Sequence, residues 1–369
     1  MYLSHSDTSI KKYNDSIQAI QDKYPAQSKN EILLSFYCIN KLVCNITGVE
    51  AVETDMCLST CIGYSGPYEL LKECLFCAAP QEDPIEKHPQ TFKTMLLAFV
   101  MQALHRDPMI AKEMLYLQDR MPKLLEEYEE HGYITEIDHI ACREDVEDVF
   151  WDGKIQADDT VIMMSLNGCQ LYKNKTSDCW MYGFVLVNLF PDKRYKKKYF
   201  IPSSIFPGPN NLKVMESFLY IGLRHISVVA NAGGLRLWDA YQDKMIKSRI
   251  FILFSFADCS GMVYWNGLVG HTGKVGCCFW CPLVGRRKPK QHTYYPILFK
   301  LTWLAVPGSS HPDQDPHEIA ITPIDPTQYM NVLRTVCGLR TKQAYKINCQ
   351  DYGVPKPSIL LGLPPGITL

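Results

Sequence analysis

The chain has 369 residues, is 47% hydrophobic and 21% charged, and carries a formal net charge of −1. That is enough apolar material for two or three cored domains, and it excludes attraction to nucleic acid through overall charge, so any such contact must use local patches. No run approaches the ~18 consecutive apolar residues of a membrane span, and the opening MYLSHSDTSIKKYND lacks the apolar core of a secretory signal. Fifteen cysteines in such a chain point to reduced thiols and metal sites in an intracellular setting.

Residues 1–52 form the first segment. Met1 to Asn30 is polar and reads as frayed, whereas Leu33, Phe36, Ile39, Leu42, Val43 and Ile46 recur near helical spacing and predict one amphipathic packing helix. Residues 53–90 are cysteine-rich. Cys57 and Cys61 form one close pair, Cys74 and Cys77 another, and Gly63, Gly66 and Pro67 supply turns between them. Two thiolate pairs at knuckle spacing can close a tetrahedral shell, so a structural zinc is expected there, with four buried cysteines as the competing reading.

Residues 91–150 read as a helical and acidic linker region. Thr91 to Met121 has helical spacing with a break at Asp107-Pro108, and the acidic run from Glu126 to Asp159 reads as a solvated face. Residues 151–300 should hold the core. Val161 to Leu166, Trp180 to Leu189 and Tyr199 to Phe206 are short apolar runs with turn punctuation, which predict an antiparallel meander. The dipeptide Asn167-Gly168 suits a tight hairpin turn and is also prone to deamidation, which would leave Asp or isoaspartate at 167 in a fraction of molecules. A helix over Asn211 to Val229 and strands at Leu235 to Ala240 and Phe251 to Phe256 follow. Residues 301–369 are Pro-rich, with one helix near Pro326 to Leu339, and the closing KPSILLGLPPGITL stops inside an apolar stretch, which reads as a truncation.

Several motifs could carry chemistry. Asp258 closes the strand FILFSFAD, where an Asp also suits a helix cap. Cys277, Cys278 and Cys281 sit in GHTGKVGCCFWCPLVGRRKPK, with His271 and His292 near enough in sequence to join a second zinc site. Two basic clusters could meet phosphates: Lys193, Arg194, Lys196, Lys197 and Lys198 in one, and Arg286, Arg287, Lys288 and Lys290 in the other. No helix-turn-helix, phosphate-loop or dinucleotide fingerprint is evident.

Taken in order, these motifs resemble the transposases of CACTA (En/Spm) elements, particularly the fungal branch. The resemblance rests on Cys57, Cys61, Gly66-Pro67, Cys74 and Cys77; on Ser165 to Gly168, Gln170 to Tyr172 and Ser177 to Trp180; and on Arg194 to Lys198, Phe206 to Asn210 and Phe256 to Lys274. It implies an α/β protein with a ribonuclease-H-like core, preceded by a helical region with a small zinc-knuckle segment. It further implies a nuclear setting, double-stranded DNA ends as substrate, and Mg or Mn held by an acidic triad for cut-and-paste transposition. The family's first acid falls at Asn167 and its second at Asp258, while the third lies in a later segment that this chain does not reach. In the family the second cysteine pair is Cys277 with Cys281, whereas knuckle spacing favours Cys278 with Cys281. The resemblance therefore implies an incomplete core without turnover, and the alternative is a non-catalytic DNA- or protein-binding fragment.

Overall fold

The computed structural model describes residues 10–24, 33–85, 88–135, 137–170, 178–207, 212–270, 273–277, 280, 283–287, 293–295, 314–320, 326–361 and 363. The helices are α1 (Ile10–Lys23), α2 (Phe36–Thr47), α3 (Leu97–His105), α4 (Pro108–Glu113), α5 (Tyr116–His131), α6 (Glu144–Trp151), α7 (Pro191–Arg194), α8 (Met215–Asn231), α9 (Cys259–Asn266), α10 (Pro316–Ala320), α11 (Pro326–Gly338) and α12 (Lys342–Tyr352). The strands are β1 (Ala51–Met56), β2 (Gln90–Met95), β3 (Thr160–Gln170), β4 (Asp178–Leu186), β5 (Ile201–Pro207), β6 (Leu235–Asp239), β7 (Lys244–Ser248), β8 (Ile250–Ala257), β9 (Arg286–Arg287) and β10 (Thr293–Tyr294).

The protein is mixed α/β around one mixed sheet of order β1-β2-β5-β4-β3-β8. Every pairing in it is antiparallel except β3 with β8, which is parallel. Alternation along the strands sorts side chains to two faces. On one face Ile162, Met164 and Leu166 of β3 and Tyr182, Phe184 and Leu186 of β4 meet Phe218, Leu219 and Ile226 of α8. Phe92, Phe206 and Phe218 lie at the centre of this core, the last two stacked at 4.8 Å; each ring contributes roughly 1.5–3 kcal/mol through burial. On the other face Val161, Met163, Val185, Val187, Phe251 and Leu253 pack under Leu117, Met121 and Leu124 of α5 and Val146 and Val149 of α6.

The start of β3 is pinned by polar contacts. Asp159 takes the Arg249 guanidinium through both oxygens, at 3.0 and 2.6 Å, and Asn188 accepts from Val161 N while donating to Asp159 O.

Several expectations are corrected. Asn167-Gly168 does not turn the chain: Asn167 pairs with Met181 and Gly168 with Trp180, because the β3–β4 ladder continues to Gln170 and Asp178. The connection at 171–177 lies outside the described residues. Thr91 to Met95 is strand rather than helix, since Phe92 fills the core by a period of two. The acidic region is no linker, because its apolar residues cover the second face of the sheet. The polar N-terminus contains α1, which buries Tyr13 against Phe36 of α2. The boundaries drawn at 52/53 and 90/91 fall inside β1 and β2, so the cysteine segment is an excursion between two strands of the main sheet.

Candidate functional site

Two sites flank the sheet, one built of thiols and one where the β3–β8 ladder ends. In the first, β1 runs directly into Cys57, and a tight turn brings back Cys61 as Thr60 N donates to Cys57 O and Cys57 N to Ile62 O. The second pair is set the same way: Ala78 N donates to Cys74 O, and Cys74 N to Ala79 O. Each knuckle holds a non-glycine residue in the left-handed region, Thr60 at φ 57° and Ala78 at φ 54°. Such conformations cost energy and persist where surroundings over-determine them.

The four ligand atoms of Cys57, Cys61, Cys74 and Cys77 all lie within 4.8 Å of one another, three of the residues buried and Cys77 exposed. Cys57 Sγ and Cys77 Sγ are 3.4 Å apart. A tetrahedron with metal–sulfur bonds near ~2.3 Å has edges of roughly 3.8 Å, so this donor set fits one metal ion. Burial pushes the Cys57 and Cys61 thiols up, and the neighbouring sulfurs raise Cys61 further, while the Ala79 backbone N–H brings exposed Cys77 down to about 7. Burial first, and then the four sulfurs, raise the Tyr64 phenol to about 12. A bound cation would remove the mutual repulsion of four thiolates.

The knuckle grips the rest of the protein. Cys61 O accepts from Lys213 N and Val214 N, and Gly63 N donates to Ser217 Oγ at 2.8 Å, so the segment braces the first turn of α8. Gly63 is required there, since a Cβ would come within 2.9 Å of the Phe92 ring and 3.1 Å of Ser217 O.

At the second site the parallel register of β3 and β8 ends at Leu166 beside Ala257, and Asn167 and Asp258 are the residues that follow this last pair on each strand. Both residues are exposed. Asp258 is the N-cap of α9, its Oδ1 accepting from Gly261 N at 2.6 Å. Gly261 allows this helix to start against β3, where a Cβ would stand 2.9 Å from Leu166 O. The pair thus offers one amide and one carboxylate already engaged in a cap. Two divalent ions need more charge than that, so Mg or Mn does not fit here as a two-metal centre.

The first basic cluster is less basic than its sequence. Arg194 is a correction: it is 1% exposed, and its Nε and Nη2 donate to Leu189 O at 3.0 and 2.7 Å while Nη2 also meets His139 Nε2. An arginine so enclosed holds the chain after β4 to the segment before α6 and is not offered to phosphate. Lys193 is drawn into an ion pair with Glu113 at 2.9 Å, which holds that carboxyl below its usual range. Lys196, Lys197 and Lys198 remain exposed. Arg286 is exposed on β9, and the side chain of Arg287 lies outside the described residues, as do Lys288 and Lys290. Of the second cysteine set only Cys277 is described, half-buried; His271, Cys278, Cys281 and His292 lie outside the described residues.

Sequence reasoning missed two buried polar pairs. His105 Nδ1 lies 3.1 Å from Asp239 Oδ2, joining α3 to β6. Burial chiefly, with the Arg194 guanidinium, lowers the His139 imidazole to about 4. Ala141 N–H donates to His139 Nδ1 and Arg194 Nη2 lies against Nε2; a neutral ring accepts at one nitrogen, and a protonated ring at neither. Their partners lie 134 and 55 positions apart in sequence, too distant for any local pattern to join them.

No helix among the described residues is long and apolar enough to cross a membrane. No protein-family model matches the chain, and no curated protein matches it.

Proposed function

We propose that this protein derives from a CACTA-type DNA transposase, with a ribonuclease-H-like core whose chemistry is lost at position 167. The observation that carries the reading is the order of the central strands. Strands β3, β4 and β5 form an antiparallel meander, helix α8 follows, and β8 returns parallel beside β3. That sequence of elements is the one expected of a ribonuclease-H-like layer. In support, the two positions at which the resemblance expects metal-binding acids, Asn167 and Asp258, directly follow the last parallel pair of β3 and β8, Leu166 and Ala257.

The family's reaction is metal-assisted cleavage of DNA followed by attack of the freed 3′ hydroxyl. It needs carboxylate charge at both positions, and Asn167 supplies only a carbonyl dipole. The retained activity is therefore binding. Lys196, Lys197, Lys198 and Arg286 provide contacts to the DNA backbone, and a structural zinc in the four-cysteine site holds the fold that presents them. A nuclear location follows from that substrate. The engagement of Asp258 as a helix cap also favours a non-catalytic DNA-binding module over an enzyme awaiting its metal.

A plasmid-nicking assay in Mn²⁺, paired with terbium luminescence as a probe of ion binding, tests the reading. The natural chain should neither nick nor bind the ion at this site. Asn167→Asp should gain ion affinity, and the gain should vanish in Asn167→Asp/Asp258→Asn. No gain in Asn167→Asp would sink the assignment of the pair, and nicking by the natural chain would sink the claim of lost chemistry.

A further inference from the structure

The hairpin β6–β7, LRLWDAYQDKMIKS, is set apart from the main sheet as a two-stranded ribbon. Its inner face is committed to the fold: Leu235, Leu237 and Ile246 enter the main core, and Asp239 and Ser248 are buried. Its outer face carries Arg236 opposite Lys247 and Trp238 opposite Met245, all exposed. Trp238 is 40% exposed and Met245 59%. A large aromatic side chain is thus left in solvent one rung from two cations.

The ribbon is firmly held. The Gln102 side-chain amide meets the Trp238 backbone in both directions, at 3.2 and 3.4 Å, as a neighbouring strand would. Ala240 N donates to His105 O, and Ser248 Oγ lies 2.7 Å from Thr160 Oγ1. The charge on its outer side is one-signed and uncompensated. Arg236, Lys244 and Lys247 have no ion pair among the described residues, and Lys112 adds a fourth cation 5.6 Å from the Tyr241 ring. Of the two acids of the hairpin, Asp243 stands at the turn, and Asp239 points inward with its oxygens taken by His105, Tyr241 N and Gln242 N.

Neighbours on one face of a strand lie about 6.8 Å apart along it, and cross-strand partners about 5 Å apart. Arg236 and Lys247 thus form a cationic rung one step from the Trp238–Met245 rung. That spacing suits a chain of alternating flat apolar groups and anions. In a duplex the base faces are stacked on each other and closed to Trp238, whereas an unpaired strand offers them.

We propose that the outer face of this ribbon binds single-stranded DNA, one base stacking on Trp238 and the flanking phosphates meeting Arg236 and Lys247. The inference deepens the DNA-handling reading above and rests on it for the choice of DNA. The test is fluorescence polarisation of the full chain with labelled dT20, and with a duplex of equal length, at two salt concentrations. Trp238→Ala should weaken dT20 binding about tenfold, leave the duplex unchanged and leave the melting temperature near that of the natural chain. Trp238→Phe, which keeps a ring, should recover most of the loss. Arg236→Ala/Lys247→Ala should lower the salt slope for dT20 by roughly 1.4, two contacts' worth for a single strand. Unchanged dT20 affinity in Trp238→Ala, or equal losses for dT20 and duplex, overturns the proposal. If Lys196→Ala/Lys197→Ala/Lys198→Ala abolishes binding while the ribbon variants do not, the ribbon inference falls and the DNA-handling reading stands. If the natural chain binds neither DNA at low salt, both fall.

Discussion

The four-cysteine knuckle and the Asn167–Asp258 pair sit on the same sheet and invite comparison. In the knuckle all four donors are present, three are buried, and the backbone around them accepts two left-handed non-glycine residues. At the pair stand one amide and one carboxylate, both side chains are exposed, and the carboxylate caps a helix. The knuckle is tied to β1 and α8 and so to the core, whereas the pair follows the last rung of the β3–β8 ladder. A group whose loss unloads the core is constrained by folding. A group whose side chain is exposed can change at little cost in stability.

The largest expected effect lies on the knuckle side. Cys61→Ser, or a strong chelator on the natural protein, should lower the melting temperature by on the order of 10 °C, with one zinc per chain released by colorimetric assay. An unchanged melting curve with no metal released would reduce the site to four buried thiols. Next is Arg194→Ala, which empties a buried site and strips Leu189 O of its donors. A loss of about 2–4 kcal/mol in urea unfolding is expected, while Lys196→Ala, which trims an exposed side chain, should stay within ~0.5 kcal/mol. Equal effects would undo the division of that cluster into a structural and a surface part.

A smaller effect should follow pH. His105, His139 and His225 are all held below the ordinary imidazole value, by burial above all, and His139 to about 4. Depressed folded values mean that the unfolded chain binds more protons once the pH falls below ~6.5. Stability should therefore be full above that point and fall steadily as pH drops toward 4, with His139→Gln flattening part of the slope in thermal scans. The smallest effect belongs to the pair itself. Asn167→Asp should shift stability by no more than ~0.5 kcal/mol, and peptide mass spectrometry of aged protein should find Asn167 intact, because the ladder holds Gly168 away from the geometry that deamidation needs.

The same contrast separates what the amino-acid sequence makes legible from what it hides. The knuckle is legible because its ligands lie within 20 positions of one another and metal spacing is a local code. Strands β3, β4, β5 and β8 are legible as apolar runs with turns between them. Phe92 reads as helical because a six-residue strand abutting a helix gives too short a stretch of period two to be told from the helical pattern that follows. Asn167-Gly168 reads as a turn because dipeptide chemistry permits one, and cross-strand pairing overrides it. The second strand of the outer ribbon, Lys244–Ser248, escapes a pattern reading because its outward residues are lysines and methionine rather than β-formers. Arg194 looks like its lysine neighbours, since nothing in a basic run marks which member turns inward.

The place of β8 in the sheet has a consequence of another kind. It stands at the end of the strand order, so among the described residues one side of its ladder is open. Its sequence, IFILFSFA, is uncharged, β-forming and free of glycine and proline, which is the profile of a segment that recruits copies of itself. The charges nearest to it are Arg249 before and Asp258 after, placed as gatekeepers against that stacking. An uncharged residue at 258 would therefore remove one of the two charges that bracket this segment. Any loss of function in a variant lacking that charge has to be separated from simple aggregation before it says anything about DNA.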